Sequence, residues 1–346
     1  MKKLVYVLCA LLLALSVTGL AACGKKKPPV VKKPTPKPKV VEKPKPTWPL
    51  TGLVTTDTTA AARFPLSVKI ENSTLARPQK GVNSADIIYE TRVEGGMTRW
   101  NCLFHSQIPE EVGPVRSARL SDIWIVPQYQ GLLFYSGAND QVISALDGAG
   151  LNKTGVNSLG GIYHRVDFRE APHNLYLSLS QAYTAAAQAG VAITASGARP
   201  GLAFGELPST ETTASGLALT IPFSPTATSS WTWDGASGHY LRSTDGEVHI
   251  DAATDQQLWA TNIVVMWAPY PQASALDPAG NPTFDTDLGG SGKAAVFRNG
   301  LRIDGTWTAT RNAPPTLTDA AGKVIPLEPG RTWFEVPETG TTVTSK

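Results

Sequence analysis

The sequence predicts an α/β (or α+β) N-terminal domain followed by a β-rich C-terminal domain, either sandwich-like or an open barrel. Three observations predict it. Between about residues 60 and 193, strand-like runs alternate with helix-like ones, as in a layered α/β structure. From about 217 to 346 the chain reads almost wholly as short strands separated by Asp-Gly and Asn-Gly turn pairs. Between them, residues 194–216 are rich in Gly, Ser, Thr, Pro and Ala without a sustained period, as a connector is.

The folded part is preceded by a leader. Met1-Lys2-Lys3, an apolar run from Leu4 to Leu20 and small residues before Cys23 have the anatomy of a secretory signal. Leu20-Ala21-Ala22-Cys23 resembles a bacterial lipobox, in which the cysteine is lipidated and becomes the first residue of the mature protein. The expectation is a lipoprotein signal peptide over 1–22 and a palmitate-type lipid on Cys23. The body is then held at the extracytoplasmic face of the cell membrane. A plain signal peptide or an uncleaved anchor is the alternative, although the run is short of the ~20 apolar residues of a span.

Residues 23–49 are expected to be a Lys/Pro-rich tether. Its stretch 24–49 holds nine Lys and eight Pro, a composition that favours extended polyproline II. At ~3.1 Å per residue it reaches on the order of 80 Å. It reads first as a passive spacer, and its lysines also suit an anionic lipid surface or wall polymer.

Charge divides along the same line. Of 31 Lys+Arg and 28 Asp+Glu, residues 1–49 take 11 Lys and one Glu, leaving 20 against 27, a net of −7. The basic balance belongs to leader and tether, so no nucleic-acid partner is expected for the acidic body. Of the three cysteines only Cys102 is left for the body, too few for an internal disulfide or a thiolate metal site. It reads as a small buried hydrophobe, and no metal or cofactor is expected.

Within 50–193, Leu66–Ile70 alternates as a half-buried strand does. Asp86–Glu94 and Met97–His105 flank Gly95-Gly96, which predicts a two-residue hairpin. Counting outward, Thr91 faces Trp100, Tyr89 faces Cys102 and Ile87 faces Phe104, with Arg92 opposite Arg99 on a largely polar face. Those two arginines need neighbouring carboxylates or an anion to be tolerated. A helix is expected between Arg119 and Tyr129, and Leu132–Tyr135 as a strand buried on both faces. Ser136–Asp140 offers a helix N-cap; Ser178 with Gln181 forms a capping box for an Ala-rich helix stopped by Gly190.

The pieces Ile87–Glu90, Val93–Gly96, Gly113–Arg119 and Ala171–Tyr176 resemble the YerB-like lipoprotein family, as do Gly290–Lys293 and Phe297–Gly300. The resemblance covers nearly all of 60–340. It implies an exported Gram-positive lipoprotein with two adjoining domains and brings no established reaction. Pro127 departs from the family pattern, so the helix after Arg119 is expected to end early.

Arg116-Ser117-x-Arg119 enters that helix, where free N–H groups and a positive dipole end attract anions and two guanidiniums add forked donors. Ligands of open α/β sheets bind beyond the carboxyl ends of strands. By that rule His105, Arg116, Ser117, Arg119 and Asn139 line one cleft, with His173 and Asn174 as outer members. Alternatively the arginines buttress Glu110, Glu111 or the acids at Glu90 and Glu94.

In the C-terminal segment, Trp231, Trp233, Trp259, Trp267, Trp307 and Trp333 read as core rather than as sugar-stacking platforms. Three function classes stand open. The favoured one is a binding or scaffold module for an anionic cell-envelope ligand such as a wall polymer. The second is a hydrolase or transferase on envelope glycans or phosphodiesters, with His105 or His173 as acid–base and Glu90 or Asp140 as partner. The third is a protein-interaction lipoprotein without a small-molecule site. No nucleophile elbow, His-rich metal motif or Ser-x-x-Lys signature decides for an enzyme, so activity is left open.

Overall fold

Leu66–Glu71 (β1) is buried along its whole length, so its alternation does not separate core from solvent. Val68 and Ile70 enter one apolar core. Ser67 and Lys69, on the opposite face, are also covered, and Lys69 Nζ meets Asp122 Oδ1 at 2.9 Å with both side chains fully buried. The strand thus lies inside a layered structure rather than on it. The computed structural model describes residues 45–346 except 156–158, 160, 195–200, 210, 278 and 279. The expected signal peptide, Cys23 and the expected tether up to residue 44 lie outside the described residues. At the tether's far end Trp48 already belongs to the body, its ring edge-on to His105 at 5.0 Å.

β1 pairs antiparallel with β3 (Thr98–Phe104) and parallel with β4 (Leu132–Tyr135), which pairs parallel with β5 (Lys153–Gly155). β2 (Ile87–Arg92) lies on the other side of β3. Beyond β2 the sheet continues with the late strand Thr332–Val336, parallel to it, and then Asn262–Met266. Ser291–Arg298, Leu301–Thr310 and Ala313–Thr318 continue that side, and the short strand Ala214–Ser215 also pairs with Leu301–Thr310. Among the described residues eleven strands form this one mixed sheet. The second, antiparallel sheet holds β9 (Ala218–Ser224), β10 (Ala227–Asp234), β11 (His239–Thr244) and β12 (Glu247–Val248). It does not close into a barrel, and the expected β-rich C-terminal region is present.

The expected hairpin register is one residue off. Ile87 pairs with Leu103, Tyr89 with Asn101, Thr91 with Arg99 and Arg92 with Thr98. The connection is longer than two residues: Val93 N–H donates to Met97 O, and a turn of Glu94–Gly96 stands between them with φ of 68° and 72° at Gly95 and Gly96. A three-residue loop shifts one strand by one place, which reverses its faces. Arg92 and Arg99 therefore project to opposite sides and never oppose each other. Ser178 precedes a 3₁₀ turn and makes no side-chain cap, so the capping box is not formed. Gly190 does end α4 (Ala182–Gln188), at φ 74°. α2 (Asp122–Gln128) carries Pro127 in its last turn and stops directly after it.

Two apolar cores flank the large sheet. On one face Ile88, Trp100, Cys102, Ile263 and Trp333 pack with Leu219, Ile221 and Trp231 of the second sheet. On the other, Tyr89, Leu103, Val264 and Phe334 pack with Ile125 of α2 and with Tyr129 just after it. Of the tryptophans expected in the core, Trp231, Trp307 and Trp333 are fully buried and Trp267 nearly so, while Trp233 and Trp259 are only partly buried; Trp100 is fully buried as well. Cys102 is a buried free thiol whose pKa burial pushes well up, leaving it an inert hydrophobe.

Candidate functional site

β1 and β4 run parallel, so their carboxyl ends share an edge of the sheet. The segment Val115–Arg119 is laced to that edge: Arg116 N–H donates to Lys69 O (2.8 Å), Ser136 N–H to Arg116 O (3.0 Å) and Ala118 N–H to Gly137 O (2.9 Å). The strand-end rule therefore places the Arg116 loop and the loop after β4 together. It fails for His105. β3 is antiparallel, so Leu66 pairs with Phe104 while Glu71 pairs with Arg99. At about 3.3 Å per residue His105 lies some 17 Å or more from the arginine edge.

Three guanidiniums meet two carboxylates at this edge. Arg119 Nε and Nη2 both donate to Glu94 Oε2, at 2.8 and 2.6 Å. Burial is the largest influence on the Glu94 carboxyl and raises it, but the charge and hydrogen bonding of Arg119, with smaller contributions from a backbone hydrogen bond and Arg99, together hold it below its ordinary value. Arg99 Nη1 donates to Ser117 O at 2.9 Å. Burial first, and then the Arg119 charge, push the Arg99 guanidinium down to about 9. Arg116 Nε lies 3.3 Å from Glu71 Oε2, while Glu71 Oε1 accepts from Ser73 Oγ (2.8 Å) and meets His173 Nδ1 at 2.8 Å. The Arg116 side chain is 24 % exposed, and its terminal amino groups have no partner among the described residues.

Beside this cluster is an open cleft of about 310 Å³, lined by Asn72, Ser73, Leu75, Arg77, Met97 and His173 among others. Its floor is fixed from below. Asn72 Nδ2 donates to Thr98 Oγ1 (2.7 Å) and Glu90 Oε1 (3.1 Å), and Arg77 Nη2 donates to Asn72 O (2.9 Å). Arg77 Nη1 is paired with Asp245 Oδ2 at 2.6 Å.

The remaining expected members are committed to structure. Asp122 heads α2 and its Oδ2 accepts Arg119 N–H at 2.8 Å, so this short helix is filled by its own carboxylate and offers no anion seat. Asn139 caps α3 (Asp140–Gly148), its Oδ1 accepting Val142 N–H at 2.9 Å. Asn174 takes Arg165 Nη1 at 2.5 Å and donates to Val166 O at 3.1 Å, pinning the hairpin of β6 (Tyr163–Arg165) and β7 (Leu175–Leu177). Arg116 and His173 thus come together on Glu71. Arg119 and Ser117 stand behind them.

Sequence reading missed Glu71 and Arg99, and it missed a buried triad. Glu90 and Glu335 are in register on neighbouring parallel strands. Arg242, from the second sheet, donates Nη2 to Glu90 Oε2 (2.7 Å) and Nη1 to Glu335 Oε1 (3.0 Å), all three side chains being buried. Trp333, Trp231 and Trp100 enclose its guanidinium at 4.6, 5.2 and 5.4 Å. Burial, and then Glu90, push the Glu335 carboxyl up to about 7. Only the in-register placement of the two acids betrays the triad, and that register spans more than 200 residues of chain. Among the described residues no group of three His, Cys, Asp or Glu side chains is placed to hold a metal.

Residues 50–192 match the family model described as "Protein of unknown function (DUF3048) N-terminal domain", and residues 219–334 match its C-terminal counterpart. The chain is 30% identical over 292 residues to the Bacillus subtilis (strain 168) protein named "Putative lipoprotein YerB", covering 83% of this chain and 85% of that one. The crystal structure of the YerB protein from Bacillus subtilis superposes with a TM-score of 0.75 at 28% identity, covering 87% of this chain and 100% of that chain.

Proposed function

The chain belongs to the DUF3048 family, and on that premise we propose that it is a membrane-anchored extracytoplasmic lipoprotein whose Arg116–His173 edge binds an anionic cell-envelope ligand. The observation that carries the reading is the imbalance at that edge, where Arg99, Arg116 and Arg119 face only Glu71 and Glu94. An arriving anion relieves the mutual repulsion of the guanidiniums, and Arg116 presents free forked donors to it. The anchor is the lipid on Cys23; the naming of the Bacillus relative as a lipoprotein supports it. Among the described residues no helix is long and apolar enough to cross a membrane.

Arg116→Gln in the full chain is expected to weaken retention on poly(glycerol phosphate) several-fold and to cost at most about 1 kcal/mol of stability, since the buried Glu71 keeps Ser73 and His173 as partners. Arg119→Gln is expected to lower stability by about 1–3 kcal/mol, because it leaves the buried Glu94 unpaired. Undiminished retention by the Arg116 variant overturns the reading. Labelled palmitate is expected on the wild-type chain and absent from Cys23→Ser.

A second reading rests on one geometry, the His173 Nδ1 contact to Glu71, which orients an imidazole as a general acid–base needs. It implies a hydrolase or transferase on envelope glycans or phosphodiesters. Ser73 Oγ donates to Glu71 rather than to His173, so the pair has no nucleophile within the cluster. Turnover of teichoic-acid fragments that disappears in His173→Gln is the result that favours it.

A further inference from the structure

We propose that the cleft takes an anionic amphiphile: a phosphate ester head at Arg116 and His173, with the start of an apolar chain lying along Leu75 and Met97. This deepens the anion reading above and rests on it. Leu75 is 70 % exposed and Met97 40 % exposed, and both line the same cleft as His173. Arg116 is one carboxylate away, sharing Glu71 with His173. The turn that carries Leu75 is tied down by Arg169, which donates to Ala76 O and, at 2.7 Å, to Pro78 O.

A hydrophilic polyanion satisfies the cations and leaves these apolar side chains in water. A purely apolar ligand makes no use of the excess positive charge at that edge. A molecule with both parts meets both demands. At about 30 Å³ per small group, a cleft of about 310 Å³ holds roughly ten non-hydrogen atoms, a head and a short length of chain. The rest of such a molecule stays outside, as a lipid does when a membrane-tethered protein binds it by its head.

The test uses the mature, unacylated chain from position 23 onward as Cys23→Ser, titrated calorimetrically with octyl phosphate, glycerol 1-phosphate and octanol. Octyl phosphate is expected to bind at least ten-fold more tightly than glycerol 1-phosphate, since burying one large aliphatic side chain is worth roughly that factor. Leu75→Ser with Met97→Ser is expected to reduce octyl phosphate to the affinity of glycerol 1-phosphate and leave the latter unchanged. Both changes are at exposed positions, and an unaltered melting temperature confirms the fold. Arg116→Gln is expected to weaken both phosphates. Equal affinity for the two phosphates, or indifference to the double change, removes the amphiphile and leaves the anion site standing. Octanol binding as tightly as octyl phosphate also removes it. Failure of both phosphates to bind removes the two readings together.

Discussion

Glu335→Gln probes the interior where two acids share one arginine. The Glu335 carboxyl rises from its ordinary 4.5 to about 7 because it is buried and because Glu90 lies in register beside it, with Arg242 only partly compensating. The folded carboxyl therefore holds its proton more tightly than the unfolded one. Its contribution to stability is complete below pH 4.5 and is lost as pH rises through about 7. At 1.36 kcal/mol per pH unit the loss is about 3 kcal/mol in full, of which about 2.5 falls between pH 5 and pH 8.

Glutamine keeps the oxygen that accepts from Ser229 Oγ, Trp231 Nε1 and Arg242 Nη1, at 2.6, 2.6 and 3.0 Å, and cannot ionise. Urea unfolding followed by tryptophan fluorescence suits the site, since Trp100, Trp231 and Trp333 enclose Arg242. The difference between variant and wild type is expected to move in the variant's favour by about 2.5 kcal/mol from pH 5 to pH 8. Asp86, which burial pushes up to about 6, titrates in both proteins and cancels in that difference. A difference that stays constant over this range refutes the reasoning.

Arg242→Met leaves two buried carboxylates without their cation and is expected to cost about 3–5 kcal/mol, read from the urea midpoint. Lys69→Met strands Asp122 at 0 % exposure and is expected to cost a similar 3–5 kcal/mol or so by the same measurement. Gly113→Ala sets a methyl 2.6 Å from the Tyr176 ring, and a loss of about 1–3 kcal/mol is expected by calorimetry.

What was legible in the sequence was local. Leu132–Tyr135 reads as a doubly buried strand because its apolar run is continuous, and it is one. Asp245-Gly246 and Asn299-Gly300 read as turns because they tolerate positive φ, and they adopt φ of 54° and 87°, and 51° and 72°. What was not legible depended on distant chain. Ser67 and Lys69 look like a solvent face until Asp122 arrives from α2, with Asn101 Nδ2 also donating to its Oδ1 at 2.9 Å. The hairpin register turned on one loop residue. The strand-end rule groups His105 with Arg116 only if β3 runs parallel to β1, and the antiparallel pairing of those two strands is not a local pattern. Glu335 beside Glu90 needed the pairing of β2 with Thr332–Val336.

The interior triad and the surface cleft meet at Asn72, and that meeting bears on how the cleft binds. Asn72 reaches down to Glu90, while its neighbours Glu71 and Ser73 belong to the cationic edge. Its Oδ1 accepts from Arg77 Nε and Gln79 Nε2, both at 3.3 Å, and Gln79 Oε1 is held by His249 Nε2 at 2.6 Å. The turn that shapes the cleft is therefore fixed by side chains buried beneath it. A ligand entering it orders little new chain, so its contacts are not offset by loop entropy. Below about pH 7 the proton held by Glu335 acts in the same direction. With it in place the triad is one arginine against one carboxylate, and the interior does not set an uncompensated negative charge under an anion site. If the cleft takes the anion proposed for it, Arg242 and Glu335 beneath Asn72 bear on that binding as well as Arg116 and His173 at the edge.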